Sequence, residues 1–318
     1  MDQTTLIINR VLPILILIGL GNWIRRRQFL SDATVDDLRK VAVNLAVPSV
    51  LFISFLEMEL KVTYLVIFGL MFVLCMALFG LGGWVKKRLN IQHRYFPFLM
   101  TGFEYGMLGM CLFGSAYGLD KIGYIAVVDL GHEIYIWFFY LAFLLMERDG
   151  LQKPTQLVKA FFKSPVIIGI LAGVIFNLLG LSLWLDEMPV TGGVVSTLRI
   201  LSGLAIPLIL IIVGYGIKLD RESIRDAMLV IGVRLVIVVP LALILNRFLI
   251  RGLLGLPDPF EAALFTLLVM PPPFIVPLYM RTDLPDERRY VNNVLMLYTV
   301  VSIFIFSLYF ILNPVIGM

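Results

Sequence analysis

The chain has 318 residues, of which 60% are hydrophobic and only 15% are charged, and its mean hydropathy is +0.95. Soluble domains carry about 25% charged residues, so this composition excludes a soluble protein and predicts an integral membrane protein. The net charge of +4 is informative only through the positions of its charges. Both cysteines, Cys75 and Cys111, lie in apolar runs and predict neither a disulfide framework nor a thiolate metal site.

Ten segments are apolar over the roughly 20 residues that a helix needs to cross a bilayer. The first precedes the cluster Arg25-Arg26-Arg27. A signal peptide has its positive charges before the apolar run, so we interpret this segment as a retained helix. The ten predicted spans, numbered one to ten, cover about residues 5–24, 37–57, 63–85, 96–117, 122–146, 164–184, 193–216, 227–249, 259–281 and 289–313.

The basic residues are distributed unequally between the loops. Loops that follow odd-numbered spans hold 19 of the 26 Lys and Arg residues, whereas the other loops and the termini hold five. Cytoplasmic loops are enriched in Lys and Arg. We therefore expect the odd-numbered loops in the cytoplasm and both termini outside it.

The longest predicted cytoplasmic loop, residues 147–163, divides the chain into halves at 1–146 and 164–318. Apolar and basic residues alternate in this linker, as expected for a short helix on the inner membrane surface. A helix that binds a soluble partner is the alternative. The residues concerned are Leu157, Phe161 and Phe162 with Lys153, Lys159 and Lys163.

The two halves share short motifs at corresponding places. Leu45-Ala46-Val47-Pro48 in span two is followed 159 residues later by Leu204-Ala205-Ile206-Pro207 in span seven. Pro13 and Gly21 of span one have the same spacing as Pro165 and Gly173 of span six. Each half contains an odd number of spans, so the halves enter the membrane in opposite orientations. This pattern predicts the inverted repeat of secondary transporters.

Span nine contains three consecutive prolines, Pro271, Pro272 and Pro273. Each proline removes a backbone donor and costs a helix about 3 kcal/mol or more. A single proline would indicate a tolerated kink, but three predict a broken helix. Broken membrane helices line protein-enclosed cavities, where transporters bind their substrates.

Span four, the expected counterpart of span nine, contains Gly102, Gly106 and Gly109 around a carboxylate, Glu104. Glycine weakens a helix by about 1 kcal/mol relative to alanine, although spaced glycines also allow close helix packing. Glu104 favours an interrupted helix at a transport site over simple packing.

These motifs resemble the auxin efflux carrier family, which includes plant auxin exporters and bacterial permeases assigned to malate, malonate and related acids. The resemblance rests on residues 45–48, the run Lys163–Gly173 and Met270–Pro273, and it covers nearly the whole chain. It implies ten helices in two inverted repeats, with spans four and nine crossing at their breaks.

The family pattern in span four is Asn-x-Gly-x-x-Gly-x-Pro. Glu104 stands at the asparagine position, Gly106 and Gly109 match, and Cys111 replaces the proline. No asparagine follows the prolines of span nine, where the family often has one. These departures argue against an auxin-like substrate and leave the architecture unchanged.

Charged residues also fall inside spans five and eight. Asp129 lies three and four residues before His132 and Glu133, so the three can share one helix face. With Arg234 of span eight they form either a structural ion pair or a titratable cluster that takes up H⁺ or Na⁺. Polar candidates of lower rank are Asn44, Ser49, Asn292, Asn293 and Thr299.

The function expected from these features is secondary transport of a small organic anion by alternating access. The predicted substrate site comprises Glu104, Gly106, Gly109, Pro271, Pro272, Pro273, Asn44 and Arg234; the predicted ion-coupling residues are Glu104, Asp129, His132 and Glu133. A sodium/proton exchanger on a related inverted-repeat fold and a membrane receptor that binds without transport are the alternatives.

The sequence lacks the motifs of metalloproteases, phosphate-binding loops and nucleophile elbows, so no enzyme activity, metal or cofactor is expected. The expected partners are the lipid bilayer, an organic anion and H⁺ or Na⁺, with a homodimer left open and nucleic acid excluded. The expected location is the plasma membrane, as a multi-pass protein of a bacterial inner membrane.

Overall fold

A computed structural model describes residues 3–58, 60–149, 162–182, 185, 188–216, 224–281 and 283–313. These residues form helices and connecting turns, with no strand among them, which confirms the all-helical prediction for the described ranges. Most of the linker, residues 150–161, lies outside the described residues, so its amphipathic helix stays a prediction.

The helices are numbered in chain order, and a π-helical turn, Tyr105–Gly109, leads directly into α5. Their bounds are α1 Gln3–Arg26, α2 Asp32–Glu57, α3 Tyr64–Arg88, α4 Phe96–Leu99, α5 Met110–Tyr117, α6 Leu119–Arg148, α7 Pro165–Leu178, α8 Pro189–Gly216, α9 Ile224–Leu253, α10 Pro259–Val269, α11 Val276–Tyr279 and α12 Pro285–Leu312.

Six of these helices, α2, α3, α6, α8, α9 and α12, are long and apolar enough to cross a membrane, and α7 and α10 are shorter apolar helices. The predicted spans therefore fall on helices of the structure. Spans four and nine, however, each fall on two short helices separated by a break. The structure is that of a multi-pass membrane protein with six candidate spans among the described residues.

The helices pack into two groups. In the first, α1 packs against α8, and α2 packs against α7 and α8. In the second, α3 packs against α6, α10 against α6 and α9, and α9 against α12. The helix α5 contacts members of both groups, so the segment that carries Glu104 lies where the groups meet.

Glycines allow close contact within the first group. A methyl group on Gly21 of α1 would overlap the carbonyl oxygen of Ile211 in α8. A methyl group on Gly173 of α7 would lie 2.6 Å from the carbonyl oxygen of Phe52 in α2. Small residues let membrane helices approach backbone to backbone, so these two glycines fix the pairing of α1 with α8 and of α7 with α2.

Within the second group, α10 is surrounded by protein. Each of its 11 residues except Glu261 is buried. A helix of this length extends about 16 Å, which is too short for the roughly 30 Å of hydrocarbon in a bilayer. The helix therefore ends inside the protein, and the next residues begin the candidate site.

Candidate functional site at the crossing of two interrupted helices

The first interruption lies between α4 and α5. Helix α4 ends at Leu99, and helical structure resumes only at Tyr105. Gly102 has a φ of +68°, a left-handed conformation that glycine adopts without the steric cost paid by other residues. The predicted interruption of span four is therefore present, and Gly102 is the residue that permits the turn.

The second interruption lies between α10 and α11. Met270 is extended, with a ψ of 152°, and Pro271, Pro272 and Pro273 are all buried. Helical structure resumes at Val276. Because the prolines have no N–H group, the extended turn leaves fewer buried donors without partners than another sequence would. The predicted interruption of span nine is also present.

The two interruptions meet. The backbone N–H of Glu104 donates to the carbonyl oxygen of Pro271 at 2.8 Å. A methyl group on Gly102 would lie 2.7 Å from Cγ of Pro273, and one on Gly109 would lie 3.2 Å from Cγ of Met270. The predicted crossing of spans four and nine is thus a direct backbone contact that two of the glycines make room for.

Gly106 differs from the other two glycines. A methyl group at this position would have no atom within 4 Å, and the residue is partly exposed. The crossing is therefore open beside Gly106 and closed beside Gly102 and Gly109.

The side chain of Glu104 connects the two interrupted helices. Its Oε1 accepts the backbone N–H of Met107 at 3.1 Å, and its Oε2 accepts the backbone N–H of Phe274 at 2.7 Å. The residue is only 8% exposed. One buried carboxylate thus occupies donors from both halves of the crossing.

Arg234 of α9 binds backbone carbonyl groups of the crossing, whereas Glu104 binds backbone N–H groups. Its guanidinium is fully buried and donates from Nη1 to the carbonyl oxygens of Leu99 (2.9 Å) and Thr101 (3.4 Å). Its Nη2 donates to the carbonyl oxygens of Gly102 and Met270. These carbonyls end α4 and α10, and helix C-termini carry partial negative charge that favours a cation.

Arg234 does not form the ion pair with Glu133 or Asp129 that was one of the two alternatives for these charges. Among the described residues Arg234 forms no salt bridge, because the carbonyls released by the two interruptions occupy its four Nη hydrogens. Its guanidinium also lies 4.8 Å from the ring centre of Phe103. Arg234 thus joins the two breaks, and its predicted contact with substrate stays a prediction.

Asp129 and His132 of α6 hold the backbone of the first interruption through a chain of two hydrogen bonds. Oδ1 of Asp129 lies 2.8 Å from Nδ1 of His132, and Nε2 of His132 accepts the backbone N–H of Phe103 at 2.8 Å. Since a backbone N–H can only donate, Nε2 is unprotonated and the ring proton is on Nδ1. The dyad therefore holds the residue next to Glu104 in place.

Glu133 completes the predicted cluster. Its Oε2 accepts the indole N–H of Trp137 at 2.8 Å, and the ligand atoms of Asp129, His132 and Glu133 lie within 4.8 Å of one another. Oδ2 of Asp129 and the hydroxyl of Tyr105 are buried without a hydrogen-bond partner. The structure thus brings the three predicted residues together, and it leaves the hydroxyl of Tyr105, a residue that the sequence did not indicate, buried without a partner.

The polar residues of lower rank form local contacts. Asn44 is exposed and donates to the carbonyl of Lys40, while Ser49 and Thr299 each donate to the carbonyl four residues earlier. Sequence reasoning missed two buried hydroxyls near the crossing: Thr101, which donates to the carbonyl of Cys75, and Ser302, which donates to that of Val269. The only sequence feature that marks Thr101 and Ser302 is a hydroxyl group in an apolar span, and many residues without a function at the crossing share it.

A cavity of about 490 Å³ lies between the helix groups, at the end of α2 and the start of α6. Two of the residues that line it, Arg199 of α8 and Glu57 of α2, form an ion pair at 2.8 Å. The polar residues that line it are Ser54, Glu57, Lys61, Asp120, Arg199 and Ser202.

Comparison with known proteins agrees with this architecture. The family model described as membrane transport protein matches residues 6–311. An uncharacterized transporter of Methanothermobacter thermautotrophicus is 30% identical over 237 residues, which cover 71% of this chain and 74% of the relative. The resemblance to auxin efflux carriers is confirmed, and the chain belongs to the family of membrane transport proteins.

Proposed function

We propose that the protein is a secondary active transporter of a small organic anion, with the crossing of the interrupted helices as its binding site. The observation that carries this proposal is the convergence of the Met107 and Phe274 N–H groups on the single carboxylate of Glu104. Backbone N–H groups that hold one carboxylate can hold another of the same geometry. Charge-assisted hydrogen bonds of this type are stronger than neutral ones.

Glu104 competes with such a substrate. While it is ionised and bound to Met107 and Phe274, it repels an anion and occupies its donors. Protonation removes the charge and weakens both hydrogen bonds, so a substrate carboxylate can replace the side chain. The free space beside Gly106 gives the substrate room at the crossing. Transport of the anion together with a proton follows from this exchange.

The packing supports two inverted repeats of five spans each. The partners of Gly21, Ile211 and Tyr215, are each 159 residues after the partners of Gly173, Phe52 and Leu56. This separation equals that of the proline motifs in spans two and seven. In such a repeat, the packing of span one on span seven corresponds to the packing of span six on span two. The pairing of α1 with α8 and of α7 with α2 agrees with this correspondence.

The two helix groups supply the moving parts for alternating access. The group of α1, α2, α7 and α8 would serve as the scaffold, and the group that contains Arg234 and the crossing would move against it. The cavity beside the Arg199–Glu57 pair would then be the entrance on the side away from the cytoplasm. This orientation, with both termini outside, rests on the distribution of Lys and Arg.

Uptake of radiolabelled mono- and dicarboxylic acids into proteoliposomes tests the proposal. The wild type should accumulate at least one acid, faster at pH 5.5 than at pH 8. Glu104→Gln should transport that acid with little dependence on pH, because glutamine cannot ionise. Asp36→Asn, which removes an exposed carboxylate of α2, is the matched control. A Glu104→Gln protein that keeps the full pH dependence would remove Glu104 from the coupling role.

One observation favours a sodium/proton exchanger as the second candidate. Glu104 already fills the position that an anionic substrate would need, and it can bind a cation there instead. Sodium flux into proteoliposomes driven by a pH gradient, in the absence of any organic acid, would support exchange. Dependence of the flux on an added carboxylic acid would support anion transport.

A further inference from the structure

In the cluster of Asp129, His132 and Glu133 on α6, only oxygen atoms are available to bind a ligand. Both nitrogens of His132 are occupied, Nδ1 by Asp129 and Nε2 by the Phe103 N–H. The atoms left for a ligand are Oδ2 of Asp129, the carboxylate of Glu133 and the hydroxyl of Tyr105. Hard cations bind oxygen ligands, whereas zinc and copper favour nitrogen or sulfur. The arrangement therefore selects for a hard cation.

The two carboxyl groups of the cluster also lack a cationic partner among the described residues. Asp129 is 1% exposed, and neither Asp129 nor Glu133 forms a salt bridge with Lys or Arg among the described residues. A charged group in the middle of a bilayer costs about 2.5–3.5 kcal/mol on insertion scales and usually pairs with another charge. The nearby cation, Arg234, donates its Nη hydrogens to carbonyls instead.

Tyr105 carries a second buried oxygen that has no hydrogen-bond partner. Its side chain is 2% exposed and its hydroxyl has no hydrogen-bond partner, and the acidic groups within its electrostatic range are first Asp129 and then Glu133. A buried hydroxyl without a partner costs about 1–3 kcal/mol. A bound cation would provide a partner for this hydroxyl and for Oδ2 of Asp129 together.

We propose that Asp129, Glu133 and Tyr105 bind one sodium ion. That this ion travels with the anion rests on the proposed function. The protein supplies three oxygens, fewer than the six to eight that Ca²⁺ takes, and water can complete the shell of a monovalent ion. Among these proposed ligands, oxygen atoms of Asp129 and Glu133 lie within 4.8 Å of each other and can face a common ion.

His132 links this site to the crossing. Asp129 holds the ring through Nδ1, and the ring holds the backbone of Phe103, the residue before Glu104. A sodium ion on Oδ2 would fix the Asp129 side chain, and through His132 it would fix the start of the segment that carries Glu104. His132 is thus a positioning residue rather than a ligand.

Equilibrium binding of ²²Na⁺ to the purified full-length protein in detergent tests the site without any transport. The pH is held at 7.5, and choline chloride keeps the ionic strength constant. The wild type and the control Asp36→Asn should bind sodium saturably, and Asp129→Asn and Glu133→Gln should lose this binding. Tyr105→Phe removes one proposed ligand and should weaken binding by at least the roughly 10–100-fold that loss of an outer-shell partner costs a metal site.

Two results would overturn the site: no saturable ²²Na⁺ binding by the wild type, or unchanged binding by folded Glu133→Gln. Because Asp129 also supports His132, Asp129→Asn could fail to fold, and Glu133→Gln and Tyr105→Phe then decide. Sodium binding without uptake of any acid would contradict the proposed function and retain the site. Uptake of an acid in sodium-free medium by a protein that does not bind sodium would contradict the site and retain the proposed function.

Discussion

Oε2 of Glu104 accepts the backbone N–H of Phe274 at 2.7 Å, although the two residues are 170 positions apart. A side chain of the first half of the chain therefore holds the backbone of the second half. Arg234 provides the complementary contact, because it binds the carbonyls at which α4 and α10 end. The crossing thus places a carboxyl group on its N–H side and a guanidinium on its carbonyl side, an arrangement that the polarity of helix ends favours.

Replacing Arg234 should destabilise the whole second helix group. Arg234→Met leaves the carbonyls of Leu99, Thr101, Gly102 and Met270 without their donor, and each buried unsatisfied group costs about 1–3 kcal/mol. We expect a loss of about 3 kcal/mol or more, seen as a lower melting temperature in detergent. Arg234→Lys keeps the charge and should lose less. A melting temperature unchanged from the exposed control Arg247→Met would contradict this assignment.

The glycines of span four should respond differently to alanine. Gly102→Ala forces a left-handed conformation, at about 1–2 kcal/mol, and places a methyl group against Pro273; its melting temperature should fall. Gly106→Ala meets no neighbour and should keep its stability, while its transport KM should rise because the methyl group fills the open side of the crossing. Unchanged KM in a stable Gly106→Ala protein would place the substrate elsewhere.

His93, in the loop before α4, should make stability depend on pH. Its ring stacks on Tyr290 at 3.6 Å and lies 3.4 Å from Glu287 and 3.5 Å from Asp226. The contact with Glu287, aided by Asp226, raises the pKa of His93 above its ordinary value of 6.5. Protonated His93 therefore stabilises the fold fully below pH 6.5, and this contribution disappears as the pH rises through the raised pKa.

Melting temperatures of the wild type and His93→Gln between pH 5.5 and 8.5 measure this effect. The wild type should exceed the variant at the acidic end, and the difference should shrink toward pH 8.5. The group is half-buried and both partners are partly solvated, so the effect should be modest. A difference that is constant across this pH range would show that packing on Tyr290, and not charge, accounts for it.

The sequence predicted those features that depend on local chemistry. Three prolines and a glycine-rich segment interrupt helices wherever they occur, so the breaks at Met270 and Gly102 could be located in advance. A spacing of three and four residues brings side chains together on any helix, so the grouping of Asp129, His132 and Glu133 also followed from the sequence.

The sequence did not predict contacts to the backbone. The partners of Arg234 are four carbonyls, and every residue has one, so no pattern of side chains distinguishes them. The alternative of an ion pair considered only the carboxylates of span five as partners of Arg234. Likewise, Gly102, Gly106 and Gly109 look alike in the sequence, and only the position of the second interrupted helix separates the open glycine from the two packed ones.

Alanine at Gly21 and Gly173 tests the packing that the repeat requires. Alanine normally stabilises a helix by about 1 kcal/mol relative to glycine, and Gly19→Ala, which meets no neighbour, should be neutral or slightly stabilising. Gly21→Ala and Gly173→Ala instead push against backbone atoms of α8 and α2, and overpacking costs about 1–3 kcal/mol. Both should lower the melting temperature, and by similar amounts, because they occupy equivalent contacts. If either variant were as stable as Gly19→Ala, the two contacts would not be equivalent and the structural support for the repeat would fail.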